Sequence, residues 1–370
     1  MKKLRIAMLA SNFIRIPPIK KFLKQGRAGA VESVVYDISE ELIKRGHDVT
    51  LFASGNSKTS ARLVSVTKKD SLSDRNTGVK NHIPYEHLLI SKAYQMAAKG
   101  QFDIIHSHFD IRTAYYAPLV SIPTISTLHS PLDSYNNQQI LKFYANTQYY
   151  VSISDSQRKP LPNLNYAATI YHGLSNLKKI KFSTKTGEYL LFIGRFREEK
   201  GVSEAIQVAR KTDNKLILLG EPHSDQLEYW DKKIKPFIKG KITKRGFLPR
   251  KLVFQYARNA KALLFPIQWE EPFGLVMIEA MACGTPVIAF NRGSVSEIVD
   301  EGKTGFIVKP WNKQGKPNIE GLIAALRNID KIDRMECRRH VQEKFTVERM
   351  VDDYEAAYKK ALKDFKRAKK

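Results

Sequence analysis

Two carboxylates, Glu271 and Glu279, bracket Phe273-Gly274-Leu275 where an apolar run, Ala262-Leu263-Leu264-Phe265, gives way to a helical pattern. Leu275, Ile278, Met281 and Ala282 recur at helical spacing, with Pro272 at the expected first turn and Gly284 at the expected stop. Strand, loop and helix in that order present the backbone N–H groups of Phe273, Gly274 and Leu275 at a helix start. There the positive end of the helix dipole favours phosphate, and Gly274 adds no side chain to block it. The carboxylates do not suit a phosphate; they read as acceptors for sugar hydroxyls on either side of one. For either Glu alone, a solvent-facing side chain is the simpler account. Arg195 and Lys200 follow the apolar strand 189–193, Arg195 offering a planar fork and Lys200 a point charge for a diphosphate.

The motif Glu-Pro-Phe-Gly, the seven-residue gap to Glu279 and the run Ala-Met-Ala-Cys-Gly-Thr-Pro-Val-Ile closely resemble the E-x7-E signature of retaining glycosyltransferases of family GT4. Gly194-Arg195 and Lys200-Gly201 resemble the family's G-R-x5-K-G pattern, one residue shorter here. The resemblance covers most of residues 3–355, with its specific motifs between 189 and 310. It implies an α/β chain of the GT-B fold, two Rossmann-like domains with parallel sheets facing an interdomain cleft. The N-terminal, acceptor-binding domain is expected over 1–174 and the nucleotide-sugar donor domain over 175–346, with a helix at 347–370 packing back on the first.

The implied activity moves a hexose or N-acetylhexosamine from a nucleotide diphosphate sugar, UDP by family habit, to a glycan, lipid-linked or small-molecule acceptor. Anomeric configuration is expected to be retained, and neither metal nor other cofactor is expected. By this resemblance Glu279 binds the ribose hydroxyls and Glu271 those of the sugar. Arg195, Lys200 and the amides of Phe273, Gly274 and Leu275 stabilise the leaving diphosphate. Gly246 and Phe247 fall in a segment similar to the one that packs on the nucleobase. Gly29-Ala30 stands where the family has two adjacent glycines, a βα turn that lets the first domain meet the donor. His129, ending Thr127-Leu128-His129, is similar to the family histidine that reaches the transferred sugar, so the expected catalytic set is His129, Glu271, Arg195 and Lys200.

The elements needed to position these groups are legible in outline. Residues 3–10 read as a strand, Val31, Val34, Val35, Ile38 and Leu42 as the stripe of a helix, and 48–53 as the next strand, a βαβ unit. Residues 56–80 are polar, lysine-rich and aperiodic, the pattern of a surface excursion. Strands at 102–108 and 122–128 end in His106, His108 and His129, and polar groups at strand carboxyl ends are where open α/β sheets bind ligands. Three histidines also invite a metal reading, weakened by the lack of an accompanying carboxylate or cysteine cluster. His108 is the second choice after His129, and a hydrogen-bonded structural role suits His106. Gly293-Ser294-Val295-Ser296-Glu297 begins another helix, where Glu297 either caps or meets the donor, the cap being the simpler reading.

The chain has 370 residues, 62 Lys+Arg against 37 Asp+Glu and a net charge of +25, with 42% hydrophobic residues. Length and composition suit two globular domains. Two cysteines are too few for a disulfide framework, and the short apolar run at 6–10 suits a strand rather than a signal peptide, so a cytoplasmic location is expected. The charge favours anionic partners and keeps a second class open, a nucleic-acid-binding α/β protein, although neither an RNA-binding signature nor a helix-turn-helix tract is present. A GT-B nucleotide-sugar epimerase is a further alternative. The cationic end, Lys359 to Lys370, leaves contact with an acidic membrane surface open, a solvated end being simpler. By the resemblance, the loops that meet the acceptor are expected in the first domain around 15–25 and 56–85, where the sequence is least patterned.

Overall fold

The computed structural model describes residues 2–19, 29–74, 78 and 81–369. Gly26, Arg27 and Ala28 of the expected first βα loop lie outside the described residues, as do parts of the expected acceptor stretches around 15–25 and 56–85. The described chain divides into two units, one of residues 2–19, 29–175 and 347–369 and another of 176–346.

The first unit is built on a seven-stranded, wholly parallel sheet of order β3-β2-β1-β4-β5-β6-β7. Its strands are β1 (Arg5–Leu9), β2 (Asp48–Phe52), β3 (Arg62–Val64), β4 (Ile104–Ser107), β5 (Thr124–Thr127), β6 (Tyr149–Ser152) and β7 (Tyr166–Thr169). β1 pairs with both β2 and β4, so the strand order reverses there, the place where doubly wound sheets receive ligands. Helix α1 (Ala30–Lys44) starts at Gly29 and buries Val34, Val35, Ile38 and Leu42, the stripe read from sequence. Helices α2 (His82–Ala98) and α3 (Tyr135–Phe143) complete the larger connections.

The C-terminal helix (Val347–Ala368) buries Val347, Met350, Val351, Tyr354, Ala357, Tyr358 and Ala361, one face at helical spacing. It packs against α1 and β7. Polar contacts fix its register. Arg45 donates to Asp352 (2.6 Å), Glu355 (2.8 Å) and the carbonyl of Glu348 (2.8 Å). His47 Nδ1 accepts from the Leu4 N–H, so its Nε2 donates to Glu355 at 2.8 Å.

The second unit carries a six-stranded parallel sheet of order β10-β9-β8-β11-β12-β13. Its strands are β8 (Tyr189–Ile193), β9 (Lys215–Leu219), β10 (Ile242–Lys244), β11 (Ala260–Phe265), β12 (Val287–Phe290) and β13 (Gly305–Val308). Helices α4 (Val202–Lys211), α5 (Arg250–Arg258), α6 (Leu275–Ala282) and α7 (Arg334–Lys344) include the ones that matter for the site. The order reverses between β8 and β11, and the loops leaving these two strands are those that carry Arg195, Lys200 and Glu271.

Helix α6 departs from the sequence reading. It begins at Leu275, leaving Pro272 outside the first turn, because Gly274 caps it in the left-handed region at φ 80°. A residue in that conformation cannot belong to the helix itself. The far end of α6 is held by α7: Arg338 donates to the Ala282 carbonyl at 2.6 Å, a cation on the negative end of the dipole. Residues 56–80 also depart from expectation, since they include the edge strand β3.

Candidate active site

In the second unit, backbone contacts fuse the loops at the carboxyl ends of β8, β9, β11 and β12 into one rim. Phe196 N–H donates to Glu221 O at 2.9 Å, and Gln268 N–H donates to Glu199 O at 2.9 Å. On the far side, Ser294 N–H donates to Glu271 O (3.0 Å) and Ser294 Oγ to Phe273 O (2.7 Å). Gly293 permits that approach: a Cβ built there would lie 2.2 Å from Glu271 O and 2.4 Å from Glu271 N. The loop holding Glu271 is therefore clamped from both sides.

Glu271 and Lys200 meet directly. Lys200 Nζ donates to Glu271 Oε2 at 2.5 Å, and Trp269 Nε1–H donates to the same oxygen at 2.9 Å. The Lys200 ammonium also lies 4.5 Å from the centre of the Trp269 ring, a cation–π contact. Both charged groups are largely shielded, with 18% and 14% of their side chains exposed. Arg195 differs: it is exposed and has no carboxylate partner among the described residues. Its neighbour Arg197 is the engaged one, bonded to Glu199 and, at 2.8 Å, to Asp225.

The remaining residues expected on the donor side take definite places. Phe273 is buried against Phe345, which withholds its side chain from a ligand. Gly274 caps α6 without a side-chain bond, leaving first-turn N–H groups at Leu275 and Val276 that no helix pairs internally. Glu279 lies one turn further along and receives Arg250 Nε at 3.1 Å. Burial raises its carboxyl above the usual range, and the Arg250 cation pulls the other way. Gly246 and Phe247 follow β10, next to Glu221, which pairs with Lys244. Glu297 lies in the first turn of the short helix Val295–Ile298.

In the first unit the histidines converge. His106 is sealed in the core, bonded through Nδ1 to Tyr358 OH (2.7 Å) and through Nε2 to Thr127 Oγ1 (2.9 Å). It is structural. Tyr354 OH joins the same Thr127 hydroxyl at 3.0 Å, so the C-terminal helix is wired to β4 and β5. His108 Nδ1 lies 2.8 Å from His129 Nε2. The Asp110 carboxylate accepts the His129 backbone N–H at 2.6 Å and the Ser130 hydroxyl at 2.7 Å. Burial lowers both His108 and His129, the Asp110 charge partly opposing it for His129. Gly29 and Ala30 stand at the start of α1. Among the described residues no three His, Cys, Asp or Glu side chains converge as ligands for a metal.

Four participants escaped the sequence reading. Trp269 and Arg250 engage the two signature carboxylates, and Asp110 and His172 flank His129, whose ring stacks on that of His172 at 5.4 Å. Trp269 was within reach of sequence reasoning as the aromatic two residues before Glu271. Arg250 depends on the packing of α5 against α6 and has no local signal.

Comparison with known proteins bears on this arrangement. Two family models match consecutive stretches of the chain: Glycosyltransferase Family 4 over residues 31–174 and Glycosyl transferases group 1 over residues 175–335. Across 367 residues the chain is 24% identical to N-acetyl-alpha-D-glucosaminyl L-malate synthase of Bacillus anthracis, with 90% of this chain and 94% of that one covered. Among solved structures, sucrose-phosphate synthase from Thermosynechococcus elongatus has a TM-score of 0.73 at 19% identity, covering 97% of this chain and 99% of that one. Anabaena HepE, solved with UDP and glucose, has a TM-score of 0.69 at 18% identity, covering 95% and 98%. The two structures speak for the fold, and the family models add the activity class. The chain belongs to the group 1 glycosyltransferases, enzymes of the GT-B fold.

Proposed function

We propose that the protein transfers a hexose or N-acetylhexosamine from a UDP-sugar to a glycan, lipid-linked or small-molecule acceptor, with retention at the anomeric carbon and without a metal ion. One observation carries the donor assignment. Arg195 stands exposed with no carboxylate partner among the described residues, on the same rim as the αL-capped start of α6 and the Lys200–Glu271 pair. An unneutralised guanidinium and the free N–H groups of a helix start suit a diphosphate.

In this reading Arg195, Lys200 and the amides of Phe273, Gly274 and Leu275 meet the charge that grows on the leaving diphosphate. Donor binding exchanges the carboxylate partner of Lys200 for phosphate oxygens, and Glu271 turns to the sugar hydroxyls while keeping the Trp269 N–H. With the Trp269 N–H still on it and sugar hydroxyls donating to it, Glu271 acts as a binder rather than a nucleophile. Glu279 takes the ribose hydroxyls, Gly246 and Phe247 face the base through the main chain, and Gly29, Ala30 and His129 are the first unit's contributions. Glu297 and His108 do not touch the donor. The Bacillus anthracis relative, named as a synthase of N-acetyl-alpha-D-glucosaminyl L-malate, supports an N-acetylhexosamine and a small hydroxy acid as the first donor and acceptor to try.

The test is turnover of a panel of nucleotide sugars in excess EDTA, followed by proton NMR of the product's anomeric centre. The expected result is one productive UDP-sugar, retained configuration, and a fall of about 10²-fold in kcat/KM for Arg195→Ala, the scale of losing one transition-state anion contact. Inverted product, or turnover only when a divalent metal is restored, would overturn the proposal.

A further inference from the structure

Beyond the carboxyl ends of β4 and β5 the donor reading uses His129 alone and gives the histidines packed around it no part. His106, His108, His129 and His172 form a column of rings, with successive centroids 4.3, 5.1 and 5.4 Å apart. Burial holds all four below the ordinary histidine range, His106 down to about 3, so the column is uncharged near neutral pH. A neutral imidazole has one N–H and one lone pair, and which nitrogen carries the hydrogen decides what the ring offers a ligand.

The 2.8 Å contact between His108 Nδ1 and His129 Nε2 allows two arrangements, because only one of these atoms can hold the shared hydrogen. If His129 donates, His108 must carry its own hydrogen on Nε2. That nitrogen is fully buried with no partner among the described residues, so an N–H would be orphaned. If His108 donates, its Nε2 keeps only a lone pair, and orphaned buried donors are the rarer of the two kinds. Asp110 favours the same choice: accepting the His129 backbone N–H at 2.6 Å, it places negative charge on the main-chain side of the ring, the side of Nδ1. His129 Nδ1 has no protein partner among the described residues and is not sealed from solvent.

We propose that His108 is a positioning residue: it donates from Nδ1 to His129 Nε2, holds His129 in its Nδ1–H tautomer, and so fixes that atom as a neutral hydrogen-bond donor to an oxygen of the bound sugar. The last clause rests on the assignment of His129 to the sugar under the proposed function; the tautomer does not. A neutral donor of this kind keeps its hydrogen across the working pH range, where a singly bonded, solvated histidine changes charge.

Long-range proton–nitrogen NMR of the full chain with ¹⁵N-labelled histidine rings reads the tautomer without any turnover. In the unaltered protein His129 should show a hydrogen-bearing Nδ1 and a bare Nε2. His108→Leu should mix the two forms and lower kcat about tenfold with donor KM little changed, the worth of one ordinary hydrogen bond. His108→Asn, whose amide nitrogen stands near the place of Nδ1, should restore both the NMR pattern and most of the rate. A hydrogen on His129 Nε2 in the unaltered protein, or an Nδ1–H form that survives His108→Leu, overturns the proposal. The sugar assignment fails separately: in that case His129→Ala turns over donor at the parent rate while the tautomer is as stated.

Discussion

Side-chain chemistry divides the signature residues into those waiting for a ligand and those already satisfied. Lys200 and Glu271 neutralise each other, and Glu279 rests on Arg250, whereas Arg195 has no such partner among the described residues. The motif letters identified the four residues; the pairings come from tertiary packing, which no local pattern encodes. Glu32, missed in the sequence, shows the same limit. Its carboxyl is pushed up to about 7, chiefly by burial, with a bond to its own backbone N–H opposing and Glu86 adding to the rise. Because the folded value lies above the ordinary one, stability from this group is full below the usual carboxylate range and is lost as pH rises toward 7. Glu32→Gln is therefore expected to be more stable than the parent by about 1–3 kcal/mol at pH 8, with the gain shrinking at pH 5, in urea unfolding. Equal gains at both pH values would contradict it. Burial also pushes the Cys283 and Cys337 thiols up to about 12. Neither is expected to react with a thiol reagent at pH 7.5 until the protein is unfolded.

Among the elements, long periodic stripes were legible and short or edge pieces were not. The stripe of α1 appears at its read positions because burial enforces the helical period. β3, with three residues at a sheet edge, has too little pattern to declare itself, and the start of α6 moved because a left-handed glycine overrides a permissive proline. The loop between β12 and the helix Val295–Ile298 tests how firmly Glu271 is held. Gly293→Ala forces a Cβ onto the Glu271 main chain at φ 58° and is expected to cost about 1–3 kcal/mol. It should weaken donor binding as well, and an unchanged melting temperature would show that the clamp is slack. On the C-terminal helix, Tyr358→Phe strands His106 Nδ1 in the core and should cost about 1–3 kcal/mol in urea unfolding.

At the scale of the whole molecule, two parallel sheets with reversed strand order, one per unit, are what the alternation of strand and helix patterns required. The net charge of +25 was the least informative global signal. Many cations near the site are spent in local pairs, such as Arg197 with Asp225 and Lys244 with Glu221, so composition alone gave no view of which remain available. No described helix is long and apolar enough to cross a membrane. The central claim is that the second unit binds a nucleotide diphosphate through Arg195 and the start of α6, and thermal unfolding tests it most directly. UDP, GDP, ADP and their common sugars would be screened against the parent, Arg195→Ala and Glu279→Ala. A nucleotide at a hundred times its dissociation constant should stabilise the parent by ~2.7 kcal/mol, and both variants should lose most of that shift. No response from the parent to any nucleotide, or an undiminished response from Arg195→Ala, would contradict the account.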